Sequence, residues 1–338
     1  MRDMTIKDIA KESGYSVSTV SRVLNNRRDV SPEAKKKINE IVAAHNFVPN
    51  NNAKHLKQAM SKTILVLVKG NSNMLFSSIV EEIQKTVEKT KYAVGIYYLD
   101  EDENEVAQAI ALMQERKPIG ILFLGGNPRF FEDGFGEIRI PCVLVTNQGN
   151  ELNFQNLSSV ATDDVKAAEA AVDFLIEKGH QKIGILGGDL TSSHTSEQRL
   201  LGCEKSFKKH GFSEKPEDYY EKARFSFEKS YQAMNRLLDR NLGVTAVFAM
   251  SDVMAIGAIR AIKDRNMSVP EDISIIGFDG ITLAEYYNPK LATIKQQSEI
   301  LAVRSVEILL NAIDLKKSAV HEVVPFTLIA GESVRSLI

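Results

Sequence analysis

The chain has 338 residues, 43% of them hydrophobic and 25% charged, with a formal net charge of −2. This is the composition of an ordinary soluble globular protein, long enough for two or three domains with real cores, and it excludes collagenous and disordered classes. No run reaches the length of a transmembrane helix, and Cys142 and Cys203 stand in no metal or redox spacing.

The small net charge hides an asymmetry. Residues 1–62 carry 12 Lys and Arg against 6 Asp and Glu, or +6, leaving 30 basic and 38 acidic residues, or −8, for the rest. A basic head on an acidic body argues that only the head meets a polyanion. No apolar stretch follows Met1, so no signal peptide is read, and the cysteine usage fits a reducing cytoplasm.

Thr5-Ile-Lys-Asp8 opens like a capping box with Asp in place of Glu, and Ile6, Ile9 and Ala10 give the helix an inward face. Gly14 suits its end. Ser16 can cap a second short helix, in which Val20, Val23 and Leu24 fall at i, i+3, i+4. The opposite face presents Val17, Ser18, Thr19, Ser21, Arg22 and Asn25, groups suited to phosphate oxygens and base edges, although a solvated face is the plainer reading of such a helix alone. Ser31-Pro32-Glu33 starts a third helix, lined inside by Ile38, Ile41, Val42 and His45, with Phe47 and Val48 closing a small core. Three helices in under fifty residues, the first two at helix-turn-helix spacing, make a DNA-binding-sized head.

After Pro49 the stretch 50–58 is polar except for Ala53 and Leu56, too short for a stable isolated helix, so it is linker or folds on binding. From Thr63 the rhythm becomes strand–helix alternation, with apolar runs at 64–68, 94–99, 119–124, 143–145, 183–186, 246–250 and 273–278 and amphipathic stretches between them. Such runs signal parallel sheets covered on both faces, here two doubly wound lobes. The expected organisation is 1–48 head, 49–62 hinge, and 63–338 body, with a first lobe of about 63–157 plus 292–320 and a second of about 160–290 plus 323–338.

The ordered motifs Thr5-Ile-Lys-Asp-Ile-Ala, Gly14–Asn25, Phe47-Val-Pro-Asn50, Gly179-His-Gln-Lys-Ile-Gly, Arg199-Leu-Leu-Gly, Val269-Pro-Glu-Asp-Ile-Ser-Ile-Ile-Gly-Phe-Asp279 and Leu291-Ala-Thr-Ile-Lys-Gln296 resemble the LacI/GalR family of bacterial transcription regulators over essentially the whole chain. The resemblance implies a body like the periplasmic sugar-binding proteins, homodimers that sometimes pair into tetramers, a near-palindromic double-stranded operator, and a small effector, a sugar or sugar derivative, between the lobes. It implies phosphate-side contacts at Ser16, Thr19, Ser21, Asn25 and Ser31, with Thr5 and Asn50 also at the DNA. Val17, Ser18 and Arg22 would read bases, and Leu56 would wedge into the minor groove beside Ala53.

For the effector it implies Asp279 and Arg199, a carboxylate for vicinal hydroxyls and a donating fork, with Phe76, Asp163, Phe225, Ser251 and Gln296 around them. Taken by itself Asp279 reads equally as a helix-capping acid. Where many members have Asn-Asp after the strand 246–250, this chain has Ser251-Asp252, and Val145-Thr-Asn147 replaces Val-Asp-Arg; both departures count against a common monosaccharide.

The expected function is a cytoplasmic, operator-binding repressor controlled by a metabolite, needing no cofactor and no membrane. The alternative is a soluble solute-binding protein without operator function, which the basic head opposes. A third class, an enzyme on a doubly wound fold, finds no Gly-x-Gly-x-x-Gly, no Gly-x-x-x-x-Gly-Lys, no Gly-x-Ser-x-Gly and no His-Glu-x-x-His to stand on.

Overall fold

The structure, a computed structural model, describes residues 4–24, 30–45, 47, 62–70 and 73–338. The chain divides into two compact units, Met1–Ala59 and Met60–Ile338.

In the first unit α1 (Ile6–Ser13), α2 (Val17–Leu24) and α3 (Pro32–Ala44) enclose Ile9, Ala10, Val20, Val23 and Ile38. Local chemistry sets the helix ends. The Thr5 and Asp8 side chains cap each other's backbone amides, and Gly14 closes α1 at φ 73° with its N–H on the Ala10 carbonyl. The Ser31 hydroxyl accepts from the Ala34 amide one residue before Pro32. His45, expected inside, is exposed and meets Glu12 at 3.1 Å: its position at the end of α3 lets a polar ring reach a partner on the surface. Val48 lies outside the described residues.

The second unit holds two six-stranded sheets. The first has the order β11-β5-β4-β3-β1-β2, with β1 Thr63–Lys69, β2 Ala93–Leu99, β3 Gly120–Leu124, β4 Cys142–Val145, β5 Leu157–Thr162 and β11 His321–Val324. All its pairings are parallel. The second has the order β12-β10-β9-β8-β6-β7, with β6 Ile183–Gly187, β7 Tyr220–Lys222, β8 Ala246–Ala249, β9 Ser274–Asp279, β10 Ala292–Lys295 and an antiparallel edge, β12 Thr327–Ile329.

Strand β1 shows why unbroken apolar runs form these sheets. Ile64, Val66 and Val68 enter the core on one face and Leu65 and Leu67 the core on the other, so no position is left for water. Helices α4 (Met74–Glu88), α5 (Glu105–Arg116), α6 (Pro128–Gly134) and α12 (Ser298–Leu315) belong to the first lobe; α7 (Asp164–Glu177), α8 (His194–Lys209), α9 (Phe227–Asp239), α10 (Asp252–Asp264) and α11 (Thr282–Tyr286) belong to the second.

The lobe limits differ from those expected. Residues 160–162 finish β5 and stay with the first sheet, so its first segment runs past 157. Ala292–Lys295, expected in the first lobe, pairs in parallel with β9 of the second, and all of His321–Val324 pairs with β5 of the first. The chain thus crosses between lobes three times, near 163, 296 and 325. Order within a sheet is a tertiary decision: β10 and β11 are both four-residue strands of mixed polarity, and nothing local says which sheet each will join.

Strand order places the site. In both sheets it reverses direction once, between β1 and β3 in the first and between β6 and β8 in the second. Crevices at the carboxyl ends of strands open at such reversals. Lys69 ends β1 and Gly70 follows it, Gly125-Gly126 follow β3, Gly188 follows β6 and Asp279 ends β9, and all of them line one cleft.

Candidate functional sites

On α2 the Ser16 hydroxyl accepts from the Thr19 amide at 3.2 Å and lies 2.7 Å from the Ser18 hydroxyl and 2.9 Å from that of Thr19. With Val20 and Val23 buried beneath, Val17, Ser18 and Arg22 are exposed and Thr19 and Ser21 half-buried. An exposed valine flanked by hydroxyls and a guanidinium suits a nucleic acid groove, where the methyls meet thymine and the polar groups meet base edges or phosphates. Thr5 and Ser31 are exposed caps at the starts of α1 and α3, where backbone amides add to the attraction for anions. Asn25, Asn50, Ala53 and Leu56 lie outside the described residues.

The interlobe cleft measures about 550 Å³, and Phe76 from the first lobe and Phe225 from the second are among its walls. Gly125, at φ 79°, makes room for one of them: a Cβ there would stand 2.7 Å from the Phe76 ring. The polar floor is second-lobe chemistry. Asp279 is 2% exposed, at φ 118°, a conformation side-chain-bearing residues rarely adopt. Its Oδ1 accepts from Gln296 Nε2 at 2.9 Å, while its Oδ2 is buried without a hydrogen-bond partner. Burial lifts this carboxyl to about 7, against the opposing pull of the Arg199 guanidinium and the Gln296 amide.

Arg199, 4% exposed, stacks its guanidinium 3.6 Å from the centre of the Phe278 ring. Its Nε donates to Asp164 Oδ1 at 2.8 Å and its Nη1 to the Met250 carbonyl. The fork expected for a ligand is therefore largely committed to the protein, and Arg199 acts as much by fixing the floor as by offering donors to the cleft.

Of the residues expected at the cleft, Phe76, Arg199, Phe225, Asp279 and Gln296 line it and two do not. Asp163 caps α7, accepting from the Lys166 amide at 3.0 Å. The next residue, Asp164, is the buried acid beside Arg199, and its carboxyl is raised by burial against that guanidinium's pull. Ser251 caps α10 through the Met254 amide at 3.2 Å. A capping side chain must fold back over its own helix, which turns both away from the cleft. Asp252 is likewise structural, taking the Thr293 hydroxyl at 2.6 Å and the Ile281 amide at 2.8 Å.

The sequence reading missed the first-lobe polar wall. Lys69 donates to Glu105 Oε2 at 2.7 Å with both groups buried, its ammonium 4.4 Å from the Phe130 ring centre. Burial raises the Glu105 carboxyl against the lysine's attraction. A lysine ending a strand after the apolar run Ile64–Val68, at the carboxyl edge of a parallel sheet, is the signal that marked it. Interlobe polar bonds flank the cleft. Asn127 Nδ2 donates to the Ser192 carbonyl at 2.7 Å, Thr195 Oγ1 to Asn147 Oδ1 at 3.0 Å, and Arg129 Nη1 to the Thr191 carbonyl at 2.6 Å. Arg224 of the second lobe meets Asp100, Glu101 and Asp102 of the first.

Among the described residues no helix is long and apolar enough to cross a membrane, and no group of three His, Cys, Asp or Glu side chains could hold a metal ion.

Residues 5–50 match the family described as bacterial regulatory proteins, lacI family, and residues 172–334 match the periplasmic binding protein-like domain. The chain is 36% identical over 333 residues to the HTH-type transcriptional regulator MalR of Clostridium butyricum, covering 98% of this chain and 99% of that one. Among solved structures it resembles the lac repressor dimer bound to operator and the anti-inducer ONPF, with TM-score 0.73, 23% identity, and coverage of 99% and 100% of the two chains. It also resembles the transcriptional regulator CelR in complex with cellobiose, with TM-score 0.71, 24% identity, and coverage of 98% and 100%.

Proposed function

The chain belongs to the lacI family of bacterial regulatory proteins, and on that premise we propose that it is a cytoplasmic, homodimeric repressor whose affinity for a near-palindromic operator is set by a small polyhydroxyl metabolite, a sugar or sugar derivative, in the interlobe cleft. The observation that carries the effector half is the Asp279 carboxylate. A buried acceptor with one unbonded oxygen, between aromatic walls from both lobes, is matched by a neutral ligand with a hydroxyl to donate and an apolar ring face to lay on phenylalanine. The lac repressor dimer bound to operator and CelR bound to cellobiose, which share this fold, support the same reading.

The head supplies the other half. Val17, Ser18 and Arg22 read base edges, and Thr5, Ser16, Thr19, Ser21 and Ser31 hold phosphates. Asn25, Asn50, Ala53 and Leu56 complete this proposal from outside the described residues. The mechanism is linkage: a ligand that contacts both lobes favours one lobe arrangement, and the operator favours one arrangement of heads, so each changes the affinity for the other. The domain organisation proposed with it is a head of 1–48, a hinge of 49–62 and a body of 63–338. No catalytic role and no cofactor are assigned.

The test begins with an operator selected from a random duplex library. Cellobiose, ribose and related saccharides are then titrated against the operator complexes of the wild type and Asp279→Asn. At least one sugar should change wild-type affinity and leave the variant, bound normally to operator, unresponsive. No sequence preference in the selected pool would reject the regulator reading. A variant that responds like wild type would reject the assigned cleft chemistry.

A further inference from the structure

Arg224 stands at the mouth of the cleft on the segment that enters α9, beside the wall residue Phe225. Its guanidinium reaches across the lobes to three consecutive acids after β2. Nη2 lies 3.0 Å from Asp100 Oδ1 and also meets the Asp102 carboxylate, while Nε meets that of Glu101. Glu101 is the most enclosed of the three, with 29% of its side chain exposed, and it also accepts from the backbone amide of Phe225. One second-lobe cation and the adjoining backbone are thus gripped by a first-lobe loop directly over the cleft.

We propose that Arg224 and the 100–102 loop form an electrostatic latch that holds the lobes closed before any effector binds. Opening withdraws the cation that meets all three carboxylates. It leaves three adjacent negative charges facing one another and strips the half-enclosed Glu101 of both partners. A lone exposed ion pair stabilises little, but a planar fork shared by a network of acids, one of them partly buried, is the arrangement in which such pairs count. The opposite flank is held differently, by two neutral hydrogen bonds, Asn127 to the Ser192 carbonyl and Thr195 to Asn147, and by one cation, Arg129, that meets the neutral Thr191 carbonyl and a single acid, Glu197, at 2.5 Å. Screening therefore weakens the Arg224 flank first, so ionic strength shifts the balance of open and closed lobes. A latched chain needs less effector energy to close and binds it more tightly at low salt. The latch is independent of the effector's identity, and its test uses no ligand.

The experiment reads cleft access in the full chain through one introduced thiol, Ala223→Cys, on the buried cleft wall beside Arg224. The native Cys142 and Cys203 are fully enclosed, and burial pushes both thiols far up, so neither competes for a neutral maleimide. The latch predicts slow labelling at low salt and faster labelling at about 1 M salt, where screening is within a few ångströms. Adding Arg224→Gln should raise the low-salt rate roughly fivefold and remove most of the salt response. The triple change Asp100→Asn, Glu101→Gln, Asp102→Asn should reproduce both effects from the other lobe, whereas Arg129→Gln should leave most of the salt response in place. Circular dichroism confirms that each variant is folded. Folded Arg224→Gln and triple variants that label at the wild-type rate, or keep its full salt response, overturn the latch.

Discussion

Replacing Asp279 with Asn should change the stability of the unliganded chain in a way that depends on pH. The carboxyl is lifted from 3.8 to about 7 because it is enclosed with one oxygen unbonded. A carboxyl raised in the fold contributes fully below its unfolded value of 3.8, and that contribution is lost as pH rises toward 7. Above that the penalty is complete, at ~4 kcal/mol for a displacement of this size. Asparagine carries no such penalty, can still accept from Gln296, and leaves a buried amide donor without a partner at a cost of ~1–3 kcal/mol. At about pH 8 the variant should therefore be more stable than wild type by ~1–3 kcal/mol, several degrees in Tm for a body of this size. At about pH 4.5 the advantage should vanish or reverse. Scanning calorimetry of both proteins at both pH values measures it. Other titrating groups largely cancel in the difference. Asp252 adds in the same direction, because Asp279 helps raise its carboxyl. An equal Tm difference at the two pH values, or a variant less stable at high pH, would refute the enclosed, unsatisfied carboxylate. The same logic makes effector affinity rise with pH through about 7, since a donated hydroxyl prefers the ionised form.

Three further outcomes test separate parts of the assignment. Arg22→Ala should lower discrimination at one base pair per half-site by ~1–3 kcal/mol in a competition assay while sparing nonspecific binding; a uniform loss over all sequences would place Arg22 on phosphate. Ser251→Ala should cost ~1 kcal/mol in urea unfolding as a lost helix cap and leave the effector titration unchanged. An altered titration would return that residue to the cleft. Gly125→Ala should weaken effector binding by at least about tenfold in calorimetric titration. A new methyl 2.7 Å from the Phe76 ring must move that wall, and φ 79° adds strain. Unchanged affinity would show that the ring takes no part.

What the sequence determined alone is what neighbours on the chain decide. Thr5, Asp8, Ser31 and Pro32 mark helix starts because capping joins residues one to three positions apart, and Ile64–Val68 forms a strand because it has no polar side to show to water. The strand–helix alternation from Thr63 carried the two-lobed body, and the family likeness carried Asp279 to the cleft through short motifs in order. Tertiary structure decided everything that joins distant segments. It placed Asp164 rather than Asp163 beside Arg199, since a one-residue step from a cap turns a side chain from its own helix toward the core. It allotted β10 to one sheet and β11 to the other, paired Lys69 with Glu105, and brought Arg224 against Asp102 across 122 positions of sequence. Such pairings depend on strand order and lobe closure, which arise from summed burial over the whole body; a local signal such as Lys69 at a strand end marks a position and does not name its partner.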